Sequence, residues 1–336
     1  MQINVALIGY GYWGPNVARN LSSLSQYSLK YIIDLNEDSR SKALRNHPGV
    51  KILSRLDDML HDKSINLVVI ATPPITHYEI AKKVLNNNIN VLVEKPICSS
   101  KDDSIELVRI AESNNLVLAV DHTFLFTPAV RKIKEIVESN EIGDILYFSS
   151  ERLNLGIIQE NSSVVWDLAP HDLSIAMYIL NEKPNYVSVS GANYYNKNVP
   201  EIASITLDFP SGKIATINLS WISPIKVRRT IFGGSKKMIV YNDNELLEKV
   251  KIYDKGVDID LTKETSFKPI YRSGGMYSPE LKNVEALSLE LQELYEHILY
   301  KKDFISLGYL GCDIVSVLEA CDESFKKNQK VKINYE

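Results

Sequence analysis

The octapeptide WDLAPHDL at positions 166–173 sets Asp167 and His171 four residues apart, with Pro170 between them and Asp172 immediately after. On a helix that spacing stacks the two side chains on one face. An imidazole has a reference pKa of about 6.5, so it can take or release a proton near neutrality. A carboxylate one turn earlier can orient the ring and stabilise its charged form. The same residues have a plainer use, as a helix cap and a histidine packed on a domain seam. Which use holds depends on what else the chain brings for a base to act on.

A second chemical stretch is GYGYWG, which places Gly9, Gly11 and Gly14 in G-x-G-x-x-G spacing. The spacing alone is weak, but here it follows a strand-like run, INVALIGY, and precedes a helix-period stretch, PNVARNLSSL. Pro15 suits the first turn of that helix. In this context Gly9 permits a tight turn and Gly11 lets the backbone approach a pyrophosphate. Gly14 allows close helix–strand contact, and the helix N-terminus offers unpaired N–H donors. Tyr12 and Trp13 fall within the turn and join the expected cofactor contacts. Asp34 ends the next strand twenty positions after Gly14. A carboxylate there hydrogen-bonds an adenosine ribose 2′-hydroxyl and repels a 2′-phosphate, so NAD is expected ahead of NADP. Arg40 is the nearby residue that would attract a phosphate. The other use of Asp34 is to cap the following helix together with Asn36.

Two more strand ends carry polar residues. In ATPPITHY, Thr72, Pro73 and Pro74 halt a strand at its carboxyl end, where ligands bind in open α/β sheets. Thr72 and Pro73 are therefore expected to touch the nicotinamide half of the cofactor. Thr76 is expected to cap the next helix, and His77 to lie exposed on it. In VEKP, Glu94 and Lys95 end the following strand and are also expected among the cofactor contacts. An ammonium at that place can hold a substrate hydroxyl or shuttle its proton, with desolvation bringing its pKa into a useful range. The alternative is a solvated surface lysine ahead of a loop proline.

These side chains need a scaffold, and the chain is long enough for two domains: 336 residues, 45% hydrophobic and 24% charged. The net charge of −4 gives no general attraction to nucleic acid or anionic lipid. No apolar run approaches the roughly 18 residues of a membrane span. The N-terminus shows no basic leader, and Cys98, Cys312 and Cys321 lack metal-type spacing. A reduced, cytoplasmic protein without a metal is expected.

Up to residue 122, short β-branched runs (INVALIGY, LKYIIDL, NLVVIAT, NVLVEKP, LVLAVDH) alternate with helix-period segments. That is the pattern of a doubly wound parallel sheet, a Rossmann-type domain over 1–122. After the helical TPAVRKIKEIVESN the strands ILYFSSERL, YVSVSGANYY, ASITLDF, KIATINLSW and RTIFGGSKKMIVYND follow with few helices between. In KIATINLSW, Ala215, Ile217, Leu219 and Trp221 share one face, as in an antiparallel sheet with one side on a core. FPSGK supplies a hairpin turn. The second domain, 123–336, is expected to be α+β with a large, mostly antiparallel open sheet. Helices are expected around 283–300 and 311–327, with a loop bearing Tyr271, Arg272, Gly274 and Gly275 between 262 and 282.

GYGYWG, ATPPITHY, VEKP and WDLAPHDL, in this order and spacing, resemble the Gfo/Idh/MocA oxidoreductases over nearly the whole chain. The resemblance implies a Rossmann domain and a second domain whose open sheet builds homodimers or homotetramers. It matches Lys95 to the family's E-K-P lysine, whose bond to proline is commonly cis, and Asp167 and His171 to a D-x-x-x-H pair opening a helix. The implied reaction passes a hydride from a carbinol carbon to C4 of the nicotinamide. His171 and Lys95 jointly handle the hydroxyl proton, and Asp167 orients the imidazole. GYWGPN, ERLNLG and WDLAPHDL resemble a branch acting on nucleotide sugars, at the 3-hydroxyl of UDP-GlcNAc or its uronic acid, in cell-surface polysaccharide biosynthesis. There Arg152 would meet a diphosphate or carboxylate, or be an ordinary strand-end charge, and Asn154 and His122 would meet sugar hydroxyls. The alternatives are a dehydrogenase of free sugars, inositol or sugar phosphates, a 3-ketosugar reductase, and a non-catalytic NAD-binding regulator.

Overall fold

The computed structural model describes residues 1–159, 162–196, 199–259 and 269–336. The chain forms two compact units, one of Met1–Phe126 with Val284–Ser316, the other of Thr127–Asn283 with Val317–Glu336.

The first unit alternates strand and helix: β1 (Ile3–Ile8), α1 (Gly14–Ser23), β2 (Tyr27–Ile33), α2 (Glu37–Asn46), β3 (Lys51–Leu53), α3 (Asp57–Leu60), β4 (Leu67–Ile70), α4 (His77–Leu85), β5 (Asn90–Glu94), α5 (Lys101–Ser113) and β6 (Leu118–Asp121). The six strands pair in parallel in the order β3-β2-β1-β4-β5-β6. Helices on both faces explain why β4 reads as an unbroken apolar run, with Leu67, Val68, Val69 and Ile70 all buried. The strand order reverses between β1 and β4, which opens a crevice at the carboxyl ends of the strands. The three-residue β3 is too short to leave a period in the sequence.

In the second unit, α6 (Pro128–Glu138), β7 (Ile145–Leu155) and α7 (Val164–Leu180) precede β8 (Tyr186–Ala192), β9 (Ile202–Asp208), β10 (Ile214–Ser220), β11 (Ile222–Gly234), β12 (Met238–Asn242), β13 (Val250–Ile259) and β14 (Pro269–Tyr277). With β15 (Val331–Lys332) these strands build a nine-stranded sheet, β14-β13-β12-β11-β7-β10-β9-β8-β15. The β7–β10 pair is parallel and its neighbours are antiparallel. Ala215, Ile217, Leu219 and Trp221 are at most 1% exposed, as their alternation requires, and α7 packs over β7, β9 and β10. The FPSGK turn joins β9 to β10, with Gly212 N–H donating to Phe209 O.

Two expectations change. Much of the loop expected over 262–282 is strand: β14 pairs antiparallel with β13, and Arg272 bridges to Asp254 and Asp258 across that pair. Its residues 262–268 lie outside the described residues. The cut at 122 also does not separate two contiguous halves. Val284–Ser316, holding α8 (Ala286–Tyr300) and the first half of α9 (Gly308–Lys327), packs with the first unit. Tyr27 hydroxyl donates to Leu291 O at 2.6 Å, Arg19 pairs with Glu285 at 2.6 Å, and Ser306 hydroxyl donates to Val120 O at 2.6 Å. Among the described residues no helix is long and apolar enough to cross a membrane.

Candidate active site

At the carboxyl end of β1 the chain turns through Gly9 to Gly14. Gly9 has φ +94°, and a Cβ there would stand 2.5 Å from Ala71 O; a Cβ on Gly14 would stand 2.2 Å from Gly9 O. Both glycines are required by contact with protein. Gly11 is different, because a Cβ there would meet nothing within 4 Å. The backbone amides of Gly11, Tyr12 and Trp13 donate to no protein acceptor among the described residues. Unsatisfied amides beside open space at the start of α1 suit a phosphate. Tyr12 is 96% exposed, whereas the Trp13 indole reaches inward and donates to Asp121 Oδ2 at 3.1 Å.

Asp34 follows β2. Its Oδ2 accepts from Tyr10 N–H at 2.7 Å and its Oδ1 from Asn36 N–H at 2.8 Å. The cap of α2 is Asn36, whose side chain accepts from Ser39 N–H. Asp34 therefore braces the glycine turn while presenting a carboxylate beside it. Arg40 donates through Nη1 to the carbonyls of Asp34 and Leu35.

After β4, Thr76 hydroxyl donates to Thr72 Oγ1 and makes no side-chain cap on α4. His77 is not exposed: it is fully buried, with Nδ1 2.9 Å from Pro96 O and Nε2 2.8 Å from Thr72 O. The ring thus lies between the ends of β4 and β5, and in its neutral form it donates to one of the two carbonyls. Burial pushes its pKa down and outweighs the two carbonyls, while Lys95 adds to the lowering. The Lys95–Pro96 bond is cis, and Lys95 N–H donates to Glu94 Oε2. His122, directly after β6, is 1% exposed, and neither ring nitrogen has a partner among the described residues. Its pKa is pushed down to about 4 by burial, with Asp121 opposing and Lys95 reinforcing.

In the second unit, α7 begins at the cap Ser163, whose hydroxyl accepts from Trp166 N–H. Asp167 lies in its first turn and His171 one turn later. Asp167 Oδ2 accepts from the Trp221 indole at 3.1 Å. Asp172, pointing to the sheet, is 1% exposed and takes a bidentate pair from Arg152: Nε to Oδ2 at 2.8 Å, Nη2 to Oδ1 at 3.2 Å. Ser150 hydroxyl adds a bond of 2.7 Å. Arg152 is thus a neutralised, 6% exposed anchor rather than a charge held out for a diphosphate. Burial pulls its pKa down, but the Asp172 carboxylate raises it by more. Asn154, two residues along β7, is half-buried.

The structure thus gathers Gly9, Gly11, Trp13, Asp34, Thr72, Glu94, Lys95 and His122 along the strand ends of the first unit, and Asp167, His171 and Arg152 at α7 of the second. Asp121 and Glu290 are ionisable groups that the sequence reading passed over, and Asp172 was named there without a role. A metal-holding group of three or more His, Cys, Asp or Glu side chains is not found among the described residues.

Residues 3–122 match the family described as "Oxidoreductase family, NAD-binding Rossmann fold", and residues 130–240 match the "GFO/IDH/MocA C-terminal domain". The 2,7-anhydro-N-acetylneuraminate hydratase of Escherichia coli (strain K12) is 24% identical over 368 aligned positions, covering 99% of this chain and 97% of that protein. GenD2 from gentamicin A biosynthesis, solved in complex with NAD, superposes with a TM-score of 0.82 at 21% identity, over 99% of this chain and 97% of its own. The UDP-N-acetylglucosamine 3-dehydrogenase GnnA from Acidithiobacillus ferrooxidans gives 0.83 at 18% identity, over 97% and 99%. At such identities the two structures speak to the fold.

Proposed function

Because the chain belongs to the Gfo/Idh/MocA oxidoreductase family, we propose that it moves a hydride between NAD and a secondary hydroxyl of a sugar, most specifically the 3-hydroxyl of a UDP-linked N-acetylamino sugar or its uronic acid. The observation that carries the dinucleotide half is the glycine turn, where Gly11 faces open space and the amides of Gly11, Tyr12 and Trp13 have no acceptor among the described residues. The nicotinamide, when bound, supplies the hydride acceptor. Lys95 holds the reacting hydroxyl and stabilises developing alkoxide charge. His171 shares the proton with it, and Asp167 keeps the imidazole in place. Thr72, Pro73 and Glu94 frame the cofactor at the strand ends. Dimers or tetramers form through the nine-stranded sheet, and the setting is cytoplasmic sugar biosynthesis for cell-surface polysaccharide.

NADH absorbance followed over a panel of UDP-sugars, free sugars and polyols tests the substrate. Turnover is expected with UDP-N-acetylamino sugars. Turnover confined to unactivated sugars would remove the nucleotide from the proposal. That second reading is favoured by the hydratase relative spanning the whole chain and by Arg152 being neutralised within its own unit.

Cofactor choice has its own test. Asp34→Ala removes the carboxylate that repels a 2′-phosphate, so the ratio of kcat/KM for NAD over NADP is expected to drop by about tenfold or more. An unchanged ratio would remove Asp34 from that role.

A further inference from the structure

Glu94 and Asp121 stand side by side as register partners at the ends of β5 and β6. From α8, Glu290 reaches the same place. Asp121 is 3% exposed and Glu290 is fully buried. Three carboxyl groups therefore meet at one place, and the donors are divided unevenly. Asp121 accepts from the Trp13 indole at 3.1 Å, from Thr123 N–H at 3.1 Å and from Thr123 hydroxyl. Glu94 Oε1 and both oxygens of Glu290 accept nothing among the described residues.

Proton bookkeeping resolves this. Three ionised carboxylates in contact would repel in a medium of low dielectric. With protons on Glu94 and Glu290, each donates to Asp121, which alone carries the charge. Burial raises the pKa of both glutamates, and Asp121 raises them further. Asp121 is lowered, because bonds from Glu94, Thr123, Glu290 and Trp13 together outweigh its burial. The other ionisable groups facing the triad are Lys95 after β5, His122 after β6, Glu293 on α8 and Tyr27 on β2.

We propose that Glu290 is a positioning residue for the dinucleotide turn, acting in its protonated form by holding Asp121, which in turn holds the Trp13 indole. Trp13 is the N-cap residue of α1, and its amide, like those of Gly11 and Tyr12, has no acceptor among the described residues. When Glu290 loses its proton at alkaline pH, a second negative charge stands against Asp121. The triad separates, the indole loses its acceptor, and the amides are no longer held for a pyrophosphate. The inference rests on the dinucleotide site and not on the identity of the sugar.

Calorimetric titration of the full-length protein with NAD, from neutral to alkaline pH, tests it. Wild-type affinity is expected to fall on the alkaline side. Glu290→Gln keeps a donor that does not titrate, so its neutral affinity should stay within about twofold and its alkaline fall should be shallower. Glu290→Leu has no donor and should bind NAD about tenfold more weakly at neutral pH. Trp13→Phe cuts the link, so its weakened binding should lose the alkaline dependence. If Glu290→Leu does not fold, the wild-type and Glu290→Gln profiles decide alone. Identical profiles for those two, or a glutamine variant as weak as the leucine one, would overturn the role of Glu290. Failure of the wild type to bind NAD at all would overturn the dinucleotide site itself.

Discussion

Lys95→Ala and His171→Ala are each expected to lower kcat/KM by about 10²- to 10⁴-fold, the usual worth of a positioned acid or base. NAD affinity should change little in His171→Ala, since that side chain is not part of the glycine turn. The double variant should lose much less than the product of the two single losses, because groups that serve one proton act as a unit. Steady-state kinetics with the sugar identified by the panel, with separate NAD titration, reads all three. Simple multiplication of the losses would mean that the two residues serve different steps. Full activity in both single variants, with function abolished by Asp34→Ala, would turn the protein from an enzyme into an NAD-binding regulator.

The dinucleotide turn was legible because its constraints are local. Gly9 needs a positive φ for the turn itself, and a Cβ on Gly14 would strike the Gly9 carbonyl five residues back. The strands behind it were legible because burial on both faces removes polar residues from them. His77 was misjudged although the signal was present: His77, Ala81, Val84 and Leu85 form the buried stripe of α4, and the histidine belongs to that period. Arg152 is similar. Phe148, Ser150 and Arg152 alternate onto the buried side of β7, so an inward arginine needs an inward acid, and Asp172 supplies it. The glycine- and proline-bearing β14 hid its strand period, and its cross-strand charges read as loop composition. No local pattern joins Glu290 to Asp121, since an apolar stripe on α8 shows that the helix packs but not against which partner.

Asp172→Ala is expected to be strongly destabilising in the second unit. It removes the bidentate acceptor of a buried arginine side chain that is 8% exposed, and with it the acceptor of the Ser150 hydroxyl. Breaking a buried pair on one side costs about 3–5 kcal/mol, against a whole-domain stability of about 5–15 kcal/mol. Loss of the exposed Lys327–Glu323 pair, by contrast, should cost no more than about 1 kcal/mol. Chemical denaturation of both variants measures the difference, and added salt should shrink only the surface contribution. The paired replacement Arg152→Met with Asp172→Leu fills the same space without charge and should recover most of the lost stability. That folded double variant then separates anchor from ligand. If Arg152 serves only to fix α7, and through it the register of Asp167 and His171, the variant keeps its KM for the sugar substrate. A KM raised for UDP-sugars but not for unactivated ones would mean that the guanidinium leaves Asp172 to meet a diphosphate, and would restore Arg152 to the substrate site.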